Sequence, residues 1–88
     1  MIRRRILWPA EARDQFDRIA KAEPGAAGEI LSAVFELGDD AHPEGSEPLG
    51  ASGTYWRLRI GRYRVTYALA EEEIRIVLVS LYTAPELD

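Results

Sequence analysis

At Thr54 the spacing of apolar residues changes from about one in 3.6 to one in two, and that switch limits what the chain can fold into. Trp56, Leu58 and Ile60 alternate with Tyr55, Arg57 and Arg59. After a turn at Gly61-Arg62, Tyr63, Val65, Tyr67 and Leu69 alternate with Arg64 and Thr66. Strict alternation sends each set to its own side of a strand, so this segment is predicted to be a hairpin with one buried and one basic face. Glu71-Glu72-Glu73 reads as the next turn. Ile74 to Leu81 is apolar on both faces apart from Arg75 and Ser80, the pattern of a central strand.

Upstream the pattern is helical. Ile2 to Trp8 reads as a short strand that Pro9 ends, since proline cannot donate to a sheet ladder. Ala12, Phe16, Ile19 and Ala20 then fall on one helical face, with Asp14/Arg18 and Asp17/Lys21 as acid-first pairs four apart. Glu23-Pro24-Gly25 breaks this helix, and Pro24 opens a second. That one carries Ala27, Ile30, Leu31, Val34 and Phe35 in a stripe closed by Gly38, after a link of two to four residues. Residues 39–53 have the composition of a loop, with Leu49 as the residue that pins it. The predicted order is β-α-α-β-β-β, an α+β fold. Its antiparallel sheet carries an N-terminal helical hairpin packed on one face, and the first strand joins the sheet. Residues 1–88 are expected to form one domain.

Composition excludes several functions. There is no cysteine, which removes disulfides, thiolate zinc sites and cysteine nucleophiles. With a single histidine, His42, no metal site or cofactor is expected, and His42 reads as a solvated loop residue. No run approaches the roughly 18–20 apolar residues of a membrane span, and the basic start Arg3-Arg4-Arg5 precedes too short an apolar run for a signal peptide. The expectation is a cytoplasmic protein with no membrane partner. The net charge is −4, yet residues 54–67 hold Arg57, Arg59, Arg62 and Arg64 and no acid. A basic stripe on an acidic body implies a directed electrostatic surface.

The stretch from Tyr55 to Tyr67 (Tyr-Trp-Arg-Leu-Arg-Ile-Gly-Arg-Tyr-Arg-Val-Thr-Tyr) resembles the Y-R-L-R-x-G-x-Y-R-V-x-Y signature of the RelE/ParE toxin superfamily, with Trp56 inserted after the first tyrosine. The element order and Leu49-Gly50 ahead of the hairpin extend the resemblance over most of the chain. Arg57 and Arg59 lie two apart and so share a face, and Arg64 can join them across the turn. Guanidiniums so close repel one another unless anions satisfy them. Phosphate oxygens would, and so would the carboxylates of an acidic partner.

The resemblance implies a RelE-like toxin of a type II toxin–antitoxin system, a ribosome-dependent mRNA endoribonuclease (an mRNA interferase) that inhibits translation. Its chemistry is attack of a ribose 2′-hydroxyl on the adjacent phosphate. Arg59, Arg64 and Tyr82 are then the candidate catalytic residues, and Arg57, Arg62 and Tyr55 the RNA-binding ones. The C-terminal stretch departs from the active pattern: it offers Tyr82 and the weaker candidate Glu86, but no Arg, Lys or His after Arg75. Tyr82 either transfers a proton or simply caps the last strand. Two other readings follow from that departure: a ParE-like inhibitor of DNA gyrase, or a non-toxic member that only binds antitoxin. All three imply a cognate antitoxin as partner. The ribosome and mRNA are added for the first and gyrase for the second, and operator DNA would be reached only through the antitoxin.

Overall fold

The computed structural model describes residues 3–81. Strand β1 (Arg5–Leu7) leads into helices α1 (Ala10–Ala22) and α2 (Pro24–Leu37), followed by strands β2 (Ser46–Leu49), β3 (Tyr55–Ile60), β4 (Tyr63–Leu69) and β5 (Glu73–Leu81). The strands form one sheet in the order β1-β5-β4-β3-β2. β1 runs parallel to β5 and every other pairing is antiparallel, so this is an α+β fold with a mixed sheet.

The expected meander is present, but the expected loop is not all loop. Ser46–Leu49 pairs with β3 as an extra edge strand, Glu47 opposite Arg57 and Pro48 opposite Trp56. Proline is tolerated there because an edge strand has one side without ladder partners. The same proline, in a polar setting, hid the strand in the sequence. The helical hairpin is also tighter than expected. Glu23 alone separates α1 from α2: its N–H closes α1 on the Ile19 carbonyl at 2.7 Å, and Pro24 starts α2 in the first-turn position where no N–H is needed.

α2 buries Ala27, Ile30, Val34 and Leu37 against the sheet, while Leu31 and Phe35, expected in the same stripe, stay exposed. Ala12, Phe16 and Ile19 carry α1 onto the same core. From the sheet side come Leu58, Tyr63, Val65, Tyr67, Ile74, Ile76 and Val79. Tyr67 is wholly buried, and its hydroxyl donates to the Ala41 carbonyl at 2.6 Å, tying the segment before β2 to the core. Burial raises the Tyr67 phenol above its ordinary 10.0.

The apolar character of β5 on both faces has a local cause. The register against β4 shifts between Thr66 and Tyr67, so Val77 is an extra residue between Ile76 and Leu78. Ile74 and Ile76 point inward before the bulge and Val79 after it, whereas Val77 faces solvent. β1 covers only the first third of β5. Beyond it the Val79 N–H is taken by the Gln15 side chain of α1 at 2.8 Å.

Candidate functional site

The helices cover one side of the sheet, and among the described residues no element covers the other, the open face. On β3 the residues facing the core are Trp56, Leu58 and Ile60, which sends Tyr55, Arg57 and Arg59 to the open side. On β4 the core takes Tyr63, Val65 and Tyr67, and Arg64 and Thr66 face out. Residues opposite one another in an antiparallel ladder share a face, and Arg59 stands directly opposite Arg64. Gly61, at φ 58°, supplies the positive φ of a two-residue II′ turn and so fixes that register. The pair next to such a turn is hydrogen-bonded and the following one is not, so Arg59 and Arg64 form the close kind of pair, with Cα atoms about 4.5 Å apart.

Neighbouring strands complete the face. Arg64 Nε donates to Ser80 Oγ on β5 at 3.4 Å, and Ser80 lies opposite Arg64 in the ladder. On the other flank Glu47 stands opposite Arg57 and accepts its Nη2 at 3.0 Å. Glu47 therefore sets a carboxylate on the edge of an arginine surface. Sequence reasoning passed over it because Ser46-Glu47-Pro48-Leu49 has no strand signature, and Leu49 was the only local hint that the segment touches the sheet.

The remaining candidates are placed as follows. Tyr55 is half exposed on the open face, opposite Ala68. Arg62 is not with the others. It sits in the turn, where its guanidinium lies 3.7 Å from the Glu23 carboxylate of the helical link. The Tyr63 hydroxyl also donates to Glu23, and that hydrogen bond, with burial and the adjacent carboxylate, holds the Tyr63 phenol above its ordinary 10.0. Tyr82 and Glu86 lie outside the described residues. His42 packs edge-on against Trp56 with ring centroids 4.2 Å apart. Arg3, Arg4 and Arg5 lie at the β1 edge, held by Asp39, the Ala70 carbonyl and Glu73 respectively, and do not extend the arginine face. Among the described residues no group of three His, Asp or Glu side chains could hold a metal, and no helix is long and apolar enough to cross a membrane.

The sequence profile of the ParE toxins of type II toxin–antitoxin systems (parDE) matches residues 6–81. The chain belongs to this toxin family. The family's fold is met again in solved structures of low identity. RelE in the archaeal RelE–RelB complex of Pyrococcus horikoshii superimposes with a TM-score of 0.78 at 19% identity, covering 96% of this chain and all of that one. A YoeB/ParE toxin from Agrobacterium tumefaciens gives a TM-score of 0.76 at 15% identity, covering 90% and 99%. The toxin–antitoxin complex RelBE2 of Mycobacterium tuberculosis gives 0.76 at 16%, covering 92% and 100%. No curated protein sequence matches the chain. As a ParE-family toxin it carries the signature stretch Tyr55–Tyr67 on β3 and β4, the two strands that build the open face.

Proposed function

We propose that this toxin is a ribosome-dependent endoribonuclease whose open sheet face binds and cleaves messenger RNA. The observation that carries this reading is the pairing of Arg59 with Arg64 across the β3–β4 ladder, with a carboxylate, Glu47, on the same face beside Arg57. Two guanidiniums held opposite one another suit a phosphate on which negative charge grows as the 2′-oxygen attacks. Arg59 and Arg64 stabilise that charge. Arg57 and Tyr55 hold the flanking RNA, Tyr55 by stacking on a base. Glu47 takes the 2′-hydroxyl proton. The P–O5′ bond then breaks, giving a 2′,3′-cyclic phosphate and a 5′-hydroxyl whose oxygen requires a proton. Tyr82, which follows Leu81 in the sequence, is the candidate donor.

A cognate antitoxin is the expected partner, in keeping with the RelE–RelB and RelBE2 complexes among the solved structures of this fold. Acidic residues of the antitoxin would meet the arginine face, and any operator DNA would be bound by the antitoxin. A second reading, inhibition of DNA gyrase, is favoured by the ParE profile match. Induced expression without antitoxin, with primer extension on a translated message, separates the two. Cuts inside codons on translating ribosomes establish the nuclease. Growth arrest with DNA damage and intact message establishes gyrase as the target. No arrest from soluble, folded protein means that the arginine face serves only an antitoxin.

A further inference from the structure

Ser80 interrupts the otherwise apolar residues 76–81, at a position where a β-branched side chain would suit the strand better. Its ladder neighbours supply a reason. The register places three side chains in one row across the open face: Arg59 on β3, Arg64 on β4 and Ser80 on β5. Two guanidiniums on a close pair repel each other, and a phosphate between them needs them held apart. Arg64 Nε donates to Ser80 Oγ at 3.4 Å, which draws the Arg64 side chain toward β5 and away from β3. An arginine fork carries one N–H on Nε and two on each Nη. With Nε engaged, the edge left for an anion is the terminal one, where Nη1 and Nη2 together match two phosphate oxygens. A bond of 3.4 Å is long, so it steers the guanidinium without locking it.

A residue that steers another must itself be held, and Ser80 lies on a thinly supported part of the sheet. β1 pairs with residues 73–75 of β5, so residues 76–81 form the edge of the sheet among the described residues. There α1 takes over from β1: Gln15 Oε1 accepts the Val79 N–H at 2.8 Å, one residue before Ser80. Val79 is buried in the core, and alternation turns Ser80 to the opposite side of the sheet. The contacts therefore run from α1 through the backbone of β5 to the Arg64 guanidinium.

We propose that Ser80 is a positioning residue: it orients Arg64 so that the terminal edge of its guanidinium meets the scissile phosphate, and Gln15 steadies the strand that carries it. The phosphate's role rests on the endoribonuclease reading; the hold on Arg64 does not. The test compares Ser80→Ala and Ser80→Thr in the full chain. One readout is single-turnover cleavage of a ribosome-bound message. The other is the ¹⁵N–¹H signal of Arg64 Nε, assigned by its loss in Arg64→Lys. Ser80→Ala is expected to slow cleavage at saturating toxin by about ten- to a hundredfold, with the half-saturating concentration within about threefold of the parent. Its Arg64 Nε proton should exchange with water faster than in the parent. Ser80→Thr keeps the hydroxyl and should bring both readouts back to near the parent values. Three results each overturn the proposal: cleavage by Ser80→Ala within about threefold of the parent, an unchanged exchange of the Nε proton, or Ser80→Thr as slow as Ser80→Ala. A parent that cuts no message removes the nuclease reading, and the exchange of the Nε proton then decides alone whether Ser80 holds Arg64.

Discussion

Glu47→Gln should move RNA binding and RNA cleavage in opposite directions. The substitution keeps shape and removes one negative charge from the edge of the arginine face. In the parent, Glu47 engages Arg57 at 3.0 Å, with side-chain exposures of 60% and 27%. An ion pair so open to water is worth at most about 1 kcal/mol, so releasing Arg57 to phosphate tightens binding by no more than about fivefold. Salt dependence gives a second reading of the same event. One more phosphate contact should steepen the slope of log K against log salt by about 0.7 for single-stranded RNA. Cleavage should go the other way. If Glu47 accepts the 2′-hydroxyl proton, its loss costs about 10²- to 10⁴-fold in rate. Binding would be followed by anisotropy of a short labelled single strand across a salt series, and cleavage by primer extension on translating ribosomes. A cleavage rate within about threefold of the parent would refute the proton-acceptor role. Weaker binding with an unchanged melting temperature would show that Glu47 positions Arg57 and does not compete for it.

Arg59→Ala and Arg64→Ala should each abolish growth arrest while the protein stays folded, because neither side chain belongs to the core. Circular dichroism melts and a growth assay together check this, and full toxicity of both variants would remove the arginine pair from the mechanism. Arg62→Ala should leave cleavage within about threefold, because that side chain lies in the turn toward Glu23 and off the open face. Tyr67→Phe removes the donor to a buried carbonyl and should cost about 1–3 kcal/mol, read from denaturant unfolding. It should also flatten the alkaline side of the stability profile. The folded state raises the Tyr67 phenol above its ordinary 10.0, so its contribution is complete below that pH and fades as pH climbs through the raised value.

How much was legible in the sequence depended on how strongly each segment declared its period. The β3–β4 hairpin did so fully: its alternation, with Gly61 at the turn, yields both the buried face and the arginine register seen in the ladder. The helices were equally clear, but a 3.6-residue period cannot say how wide the buried stripe is. Leu31 and Phe35 therefore read as core and are exposed. β2 was invisible because its pairing is a property of β3: Ser46-Glu47-Pro48-Leu49, with a single apolar residue, becomes a strand only when a neighbouring strand offers it an open edge. Glu47 was lost with it. Arg62 shared a sequence cluster with the other arginines, yet turn geometry carries it to the helical link, a separation that no composition count could make.

The place of β5 in the sheet bears on the order in which the molecule is made. β5 follows in sequence everything it pairs with, yet it lies between β1 and β4 and supplies Ile74, Ile76 and Val79 to the core. On the ribosome, β1 and both helices emerge first, followed by the β2–β3–β4 meander, and the strand that joins β1 to that meander comes last. Among the described residues β1 finds its ladder partner in residues 73–75 alone. A chain cut short before Glu73 thus lacks the strand that joins β1 to β4, together with Ile74, Ile76 and Val79 of the core, and is expected to be a substrate for proteases.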